Sequence, residues 1–133
     1  MFRWIGSIVV AIVSVSVASA QQPIVELKVT PEKSVFKDAK WNKPIVIKST
    51  EDAAKHFGEE AQKTIGKEVD FKKQIVLVFA WQGSGGDKLE FAILESFPEQ
   101  IPFSLRPGVT DDIRSHSRVF ALRSNVRWSV KSP

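Results

Sequence analysis

The sequence predicts an α+β fold, in which one helix packs on a mostly antiparallel β-sheet or a half-open barrel. Three observations support this prediction. The run from Ile75 to Ala80 is apolar throughout, which is typical of a strand that is buried on both faces. Shorter segments of alternating apolar and polar residues lie on both sides of this run. Only the stretch between Ser49 and Gly66 has apolar residues at helical spacing.

The N-terminus predicts export. Arg3 precedes an apolar run from Ile5 to Val17, and small residues follow at 18–20. A positive charge, a short apolar core and a small-residue ending are typical of a cleavable secretory signal. We therefore expect residues 1–20 to be removed and residues 21–133 to form one domain in the periplasm, at the cell surface or outside the cell. Serines interrupt the run, which is shorter than the roughly 20 residues of a membrane span, so no transmembrane segment is expected after cleavage.

The composition limits the possible chemistry. The 133 residues include no cysteine, which excludes both a disulfide framework and thiolate catalysis. The formal net charge is +4, and the lysines are scattered among acidic residues, so we predict no nucleic-acid binding. No glycine-rich loop opens a helix in the way that phosphate and dinucleotide sites require, so we predict no cofactor.

Two strands and a helix are predicted first in the mature chain. Ile24–Val29 alternates apolar with charged residues, and Pro44–Lys48 is rich in β-branched residues. Ser49 is a suitable N-cap for the helix that follows. The apolar stripe of this helix consists of Ala54, Phe57, Ala61 and Ile65. Gly58 interrupts the stripe, so the helix is expected to bend or break there, and Gly66 is expected to end it.

Two hairpins are predicted after the helix. Lys88–Phe97 is expected to pair with Ile75–Ala80 across a glycine-rich loop. Its alternating apolar residues are Leu89, Phe91, Ile93 and Phe97. Prolines punctuate the next stretch, so Phe103–Arg106 is expected to be at most a short edge strand. Arg118–Arg123 and Val126–Lys131 are expected to form a closing hairpin. Its inward-facing residues are predicted to be Val126, Trp128 and Val130.

The loop after the central strand is the most distinctive candidate for a binding site. It consists of Trp81, Gln82, Gly83, Ser84, Gly85, Gly86 and Asp87. Glycines allow close backbone approach and positive φ angles, and a loop on a rigid strand is a common way to present recognition groups. An indole is an effective anchor for a partner. We predict that this loop binds a protein or a glycan, and the alternative that it is only a turn stays open.

A hydrolase or metal-dependent enzyme is the weaker alternative. His116 follows Asp111 and Asp112, residue types that support acid–base or metal chemistry when they meet. Ser84 could pair with His116, but its context leads from strand to strand and is not a nucleophile elbow. The second histidine, His56, shares no ligand spacing with His116. We predict no catalytic residue and no metal site, and an accessory domain without a ligand site stays open beside the binding module.

One part of the chain resembles a known family. The residues Val69-Asp70-Phe71, the strand Ile75–Ala80, the loop Gly83–Gly86 and the strand after it resemble the PrcB-like C-terminal domain. This domain belongs to the subunit that stabilises an exported bacterial protease complex. The resemblance covers about half of the mature chain and implies a non-catalytic exported module that binds an exported protein partner. The family usually has Thr-Gly-Gly-Tyr in the loop, whereas Asp87 follows the glycines here and the chain has no Tyr.

A fainter likeness is to small secreted inhibitors of cysteine proteases. These inhibitors present a Gly-x-Gly-Gly loop together with an Arg-Pro-aromatic loop. Gly83–Gly86 resembles the first loop, and Arg127-Trp128 resembles the second without its proline. The likeness implies an alternative role as a protease inhibitor.

Overall fold

The computed structural model describes residues 22–131, so the predicted signal at residues 1–20 lies outside the described residues. The strands are β1 Ile24–Leu27, β2 Ile45–Ile47, β3 Gln74–Ser84, β4 Lys88–Phe91, β5 Gln100–Arg106, β6 Ile113–Arg123 and β7 Arg127–Val130. The α-helices are α1 Thr50–Ala54 and α2 Glu59–Glu68, and a 3-10 turn spans Lys33–Phe36. One sheet has the order β1-β6-β3-β2, and a second sheet has the order β4-β5-β7.

The four-stranded sheet lies between two hydrophobic cores, so the described part of the chain forms three layers. One face of β3, with Val76 and Val78, packs against Phe57 and Ile65 of the helical layer. The opposite face, with Leu77 and Phe79, packs against the three-stranded sheet. The buried residues from that sheet are Leu89, Ile101 and Phe103. The prediction that Ile75–Ala80 is a central strand with two buried faces is confirmed.

Strands β3 and β6 are the longest of the described strands, with 11 residues each. They pair antiparallel from Gln74 opposite Arg123 to Ser84 opposite Ile113. β1 pairs with β6 only at residues 119–122, and β2 pairs with β3 only at residues 76–78. The end of the β3–β6 pair that contains Ser84 and Ile113 therefore extends past both flanking strands.

Aromatic rings join the two sheets. The Phe79 ring lies 4.6 Å from that of Phe103 and 6.0 Å from that of Phe120, between centroids. Such pairs add roughly 0.5–1.5 kcal/mol each to the burial of their area. At the edge of this layer, Arg118 lies 5.0 Å above the Phe120 ring and donates to the Leu89 carbonyl at 2.6 Å. One guanidinium thus ties β6 to β4.

The same guanidinium also pairs with β1. Arg118 donates through Nε and Nη2 to the Glu26 carboxylate at 3.0 and 2.8 Å. This bidentate hydrogen bond lowers the pKa of Glu26 and raises the pKa of Arg118. Each partner therefore favours the charged form of the other.

The α+β class is confirmed, but the helical layer and the sheet differ from the finer prediction. The sheets are open and do not form a half-open barrel, and the predicted single helix is two short ones. The break lies at Gly58, the N-cap of α2, which confirms the expected interruption. Ser49 caps α1 as predicted, since its Oγ accepts from the Asp52 N–H at 3.1 Å. The expected stop at Gly66 is wrong, because α2 continues to Glu68.

Both predicted hairpins are wrong in their pairing. β4 does not pair with β3, whose neighbours are β6 and β2, and it pairs with β5 instead. β6 likewise lies between β1 and β3, and β7 instead pairs with β5 in parallel. The inward orientation of the last strand is confirmed. Val126 is buried, and Trp128 and Val130 pack against the same core.

β5 is longer and more central than its prolines suggest. It runs from Gln100 to Arg106 between β4 and β7, so the prediction of a short edge strand at Phe103–Arg106 is wrong. Pro102 accepts from the Ala92 N–H at 3.2 Å, but it has no N–H to return. Regular β4 pairing ends next to this position, at Phe91.

The segment Lys88–Phe97, which alternation predicts to be a strand, exposes several apolar side chains. Leu89 is buried, whereas Phe91, Ile93 and Phe97 are exposed, and so is Leu94. The Phe97 side chain is 101% exposed. Alternation alone therefore predicted one buried residue of the four correctly.

We expect Phe79→Ala to lower the free energy of unfolding by about 3–5 kcal/mol, because it removes a fully buried ring that joins the two sheets. The matched variant Phe97→Ala removes the same group from a solvent-exposed position and should change it by less than about 0.5 kcal/mol. Urea unfolding followed by circular dichroism measures both values. Equal effects would show that the inter-sheet aromatic layer does not stabilise the fold.

Candidate functional site

Two connections between the sheets meet at the extended end of the β3–β6 pair. Residues 85–87 lead from β3 to β4, and residues 107–112 lead from β5 to β6. We call residues 82–87 together with 107–113 the loop end. The glycine-rich loop is therefore a crossing between sheets and not the turn of a hairpin, which corrects the sequence-based interpretation.

Four hydrogen bonds join the two connections. The hydroxyls of Ser84 and Thr110 are 2.6 Å apart, and Ser84 Oγ also accepts from the Thr110 N–H at 3.2 Å. Gly85 N–H donates to Asp112 Oδ1 at 3.2 Å, and Gly108 N–H donates to Asp87 Oδ1 at 2.7 Å. Each connection therefore satisfies polar groups of the other, and the pair is held as one ordered unit.

Glycine is needed at the loop end for close approach. A Cβ on Gly108 would lie 2.5 Å from the Gly86 carbonyl carbon and 2.7 Å from the Asp87 nitrogen, both backbone atoms. A Cβ on Gly85 would lie 2.5 Å from Asp112 Oδ2. None of the glycines in the described residues has a positive φ, so the expectation that left-handed backbone explains this loop is wrong.

Trp81 is buried beneath the surface of the loop end and bonds to one of its residues. Its side chain is only 4% exposed, and its Nε1 donates to Asp87 Oδ2 at 3.2 Å. Its ring stacks on His116, directly opposite on β6, with centroids 4.9 Å apart. Asp87 thus uses one carboxylate oxygen for Trp81 and the other for Gly108. Trp81 and Asp87 therefore hold the loop in place.

A groove lies beside the stacked rings of Trp81 and His116. It has a volume of about 350 Å³ and opens between β4 and β6. Its lining includes the stacked Trp81 and His116, the backbone region of Leu89, and the Arg118 side chain that bridges the strands. Of the predicted loop residues, only Trp81 and Asp87 line it.

Asp112 is a carboxyl of the loop end whose pKa is lowered. Hydrogen bonds from Thr110 and Arg114, together with the Gly85 N–H, lower the pKa of this carboxyl from 3.8 to about 2. Arg114 Nε donates to Asp112 Oδ2 at 2.7 Å. The ionised carboxylate thus helps to hold the two connections together.

The structure does not assemble the alternative catalytic site. His116 Nε2 lies 2.8 Å from the backbone carbonyl of Ser84, and the Ser84 hydroxyl bonds to Thr110. Asp112 is engaged by Gly85 and Arg114. Among residues 22–131 no group of three or more His, Cys, Asp or Glu side chains could hold a metal ion.

The two segments that resemble inhibitor loops lie far apart. Gly83–Gly86 lies near Lys88, which pairs with Arg106 at the end of β5. Arg127 pairs with Gln100 at the opposite end of β5. A seven-residue strand spans roughly 20 Å, so the two segments do not form one edge.

Comparison with known proteins assigns no family to this chain. No family model matches it, and no match was found among curated proteins or solved structures. The resemblance to the PrcB-like domain stays a prediction. Within residues 22–131, no helix is long and apolar enough to cross a bilayer.

The sequence reasoning missed the second half of the loop end. Val109 is 97% exposed and Ile113 is 77% exposed, so both apolar side chains face solvent beside the glycine loop. The predicted strand Arg118–Arg123 is too short at its start, because β6 begins at Ile113. The Pro107-Gly108 pair, a common turn signal, was the available clue that β5 ends and a connection begins here.

We expect Gly108→Ala to lower the free energy of unfolding by about 1–3 kcal/mol, because its Cβ would meet backbone atoms that cannot move aside. Gly66→Ala is the matched control. It lies in α2 with nothing within 4 Å of the added Cβ, and should raise stability by about 0.5–1 kcal/mol. Chemical denaturation distinguishes the two signs, and a neutral Gly108→Ala would contradict the close packing of the connections.

The Asp112 carboxylate should make stability depend on pH. Because its folded pKa is lowered to about 2, its contribution is complete above about pH 4 and is lost as the pH falls through 2. We expect wild type to be more stable than Asp112→Asn at pH 5, with the difference shrinking towards pH 2. Urea unfolding across this range measures it. A difference that does not change with pH would show that the charge of Asp112 is irrelevant.

Proposed function

We propose that this chain is an exported, non-catalytic protein-binding module and that the loop end is its binding face. The observation that carries the proposal is the exposure of Val109 and Ile113 on connections fixed by four hydrogen bonds. Val109 lies next to Gly86, and Ile113 lies opposite Ser84. Apolar side chains that face solvent on one surface are typical of surfaces that contact a partner. A protein partner is favoured over a glycan because these exposed side chains are apolar.

Order at the loop end supports this proposal. A flexible loop loses backbone conformational entropy when it binds, at a cost of roughly 1–2 kcal/mol for each residue that becomes ordered. The hydrogen bonds between the connections have already fixed the backbone, so little of this cost remains. The buried Trp81 and the occupied Asp87 contribute to binding by maintaining this order.

The seven residues predicted from the sequence therefore have different proposed roles. Gln82 and Gly86 are exposed and would contact the partner directly. Gly83, Ser84 and Gly85 are half-buried and shape the connection. Val109 and Ile113 add the apolar contacts that the glycine loop itself lacks.

Export is part of the proposal and rests on the predicted signal at residues 1–20. The resemblance to the PrcB-like domain points to the same class of function, an exported module that binds a protein. The absence of cysteine is compatible with export, since two cores on either side of the central sheet supply the stability that disulfides give to smaller secreted domains.

The proposal is tested with the mature chain as bait against envelope and secreted fractions of the native cell. We expect the double variant Val109→Ser/Ile113→Ser to recover its partner at least about tenfold less well, since apolar contacts worth about 1.4 kcal/mol or more are lost. Quantitative mass spectrometry of the recovered proteins is the measurement.

A matched control uses the exposed apolar residues at the other end of the molecule. Ile93→Ser/Leu94→Ser removes comparable side chains from the connection after β4, and should leave recovery within about twofold of wild type. Loss of recovery with this control alone would move the binding face to that connection. Equal recovery by all three baits would exclude the loop end as the binding face.

A further inference from the structure

The connection from β4 to β5 lies at the end of the molecule opposite the loop end. Arg106, the last residue of β5, lies at the loop end, where it is opposite Lys88. Gln100, the first residue of β5, lies at the other end of that strand. Residues 92–99 lead from β4 into Gln100, and we call this connection the far tip.

The far tip has an ordered backbone. Leu94 N–H donates to the Gln100 carbonyl at 2.8 Å, and Gln100 N–H donates to the Leu94 carbonyl at 3.1 Å. The chain therefore turns within residues 95–99. Ser96 N–H donates to the Leu94 carbonyl at 2.8 Å, and the Ser96 hydroxyl donates to the Pro98 carbonyl at 2.8 Å. Phe97 thus lies at the apex of a turn whose backbone is fixed on both sides.

The far tip concentrates exposed apolar side chains. Ile93 and Leu94 are exposed, and the Phe97 ring is fully exposed. Single apolar residues are normal on a protein surface, but these three lie within five positions of one ordered connection. Transfer of such side chains from water into an apolar phase is favourable in proportion to their area. The far tip is therefore an apolar projection that lacks a cover in the described part of the chain.

The predicted signal joins the domain at the same end of the molecule. Arg123 N–H donates to the Pro23 carbonyl at 3.1 Å, so the first described residues lie beside the last residue of β6. The Arg123 side chain pairs with Glu99 of the far tip. One residue therefore contacts both the start of the described chain and the far tip.

The length of chain before this point limits its distance from a membrane. The predicted apolar run ends at Val17, and Gln22 is the first described residue, five positions later. An extended chain spans at most about 3.6 Å for each residue, so this linker reaches no more than about 18 Å. The apolar run of a secretory signal enters the bilayer during export. The end of the domain that carries the far tip is therefore exported next to a bilayer, whereas the loop end lies 11 strand residues farther away.

Charge at this end of the molecule is nearly balanced. Residues 22–23, 70–74, 92–100 and 123–127 contain four cations and three carboxylates, namely Lys72, Lys73, Arg123, Arg127, Asp70, Glu95 and Glu99. Arg123 and Glu99 also pair with each other. Attraction to anionic headgroups is therefore small here, and insertion of apolar side chains must supply the affinity for a bilayer.

A second copy of the chain is a poorer occupant of the far tip. The apex is a five-residue turn, so two tips in contact would bury far less than the roughly 1,200–2,000 Å² of a stable interface. A bilayer does not need a complementary surface of this size. Binding to it depends on the apolar area that enters the boundary between headgroups and acyl chains.

We propose that the far tip inserts into the surface of the membrane across which the chain is exported, with Phe97 as the inserted side chain. Ile93 and Leu94 contact the lipid beside it. This inference goes beyond the proposed protein-binding function, because it uses the opposite end of the molecule and leaves the loop end free. It shares with that proposal only the predicted export.

The absence of cysteine makes a direct test possible. Phe97→Cys and the matched variant Val109→Cys each place one thiol at an exposed apolar position, at the far tip and at the loop end. Each mature protein is labelled with the same apolar, polarity-sensitive fluorophore and titrated with phosphatidylcholine vesicles. We expect the label at position 97 to shift to the blue and to brighten at least about twofold on insertion. The label at position 109 should not change.

Co-sedimentation of unlabelled mature protein with the same vesicles gives the affinity. We expect Phe97→Ser to bind at least about tenfold more weakly than wild type, since the inserted ring is lost from a position where substitution leaves the fold intact. Val109→Ser/Ile113→Ser should bind within about twofold of wild type. Raising the salt from about 0.1 to about 1 M should not weaken binding, because screening acts on charge and not on apolar insertion.

Three outcomes would overturn the membrane proposal. The first is equal binding by Phe97→Ser and wild type, and the second is binding that salt abolishes. The third is a blue shift at position 97 that appears without vesicles as the protein concentration rises, which would identify a second copy at the far tip. Because these assays contain no partner protein, each of these results leaves the proposed function of the loop end standing.

Discussion

The antiparallel pairing of β3 with β6 is the constraint on which the rest of the structure depends. Both strands are apolar on two faces along the inner part of this pair, so each face requires its own cover. The helices cover one face, and the three-stranded sheet covers the other. β2 and β1 are the outer neighbours of β3 and β6, and the later strands β4, β5 and β7 form a separate sheet. The crossings at the loop end are a direct result.

The sequence predicted the positions of strands and helices better than it predicted which strands pair with each other. Local signals were sufficient for the buried strand at Ile75–Ala80, the Ser49 cap and the break at Gly58, since each depends on residues close in the chain. The hairpins failed because strand pairing depends on which edges remain free, and this follows only from the whole sheet. β6 illustrates this for the closing hairpin, because its residues 119–122 already pair with β1 on one edge and with β3 on the other, and β7 pairs with β5 instead.

The candidate site was predicted in part for a similar reason. The glycine loop was evident from its composition, but its roles depend on residues 107–113, which are about 25 positions away in the chain. Trp81 illustrates the difference. An indole beside a glycine loop suggests a surface anchor, whereas the stack on His116 and the bond to Asp87 make it an internal support. Neither partner can be identified from spacing alone.

The interlocking of the two connections also limits how this face can change during evolution or engineering. Insertions are usually tolerated in surface loops whose backbone is free. Here an added residue in either connection would displace the hydrogen-bonding partners of the other, and the close approach of Gly86 to Gly108 leaves no room for a longer path. New specificity at this face would therefore arise by substitution of outward side chains such as Gln82, Val109 and Ile113, with loop length kept constant.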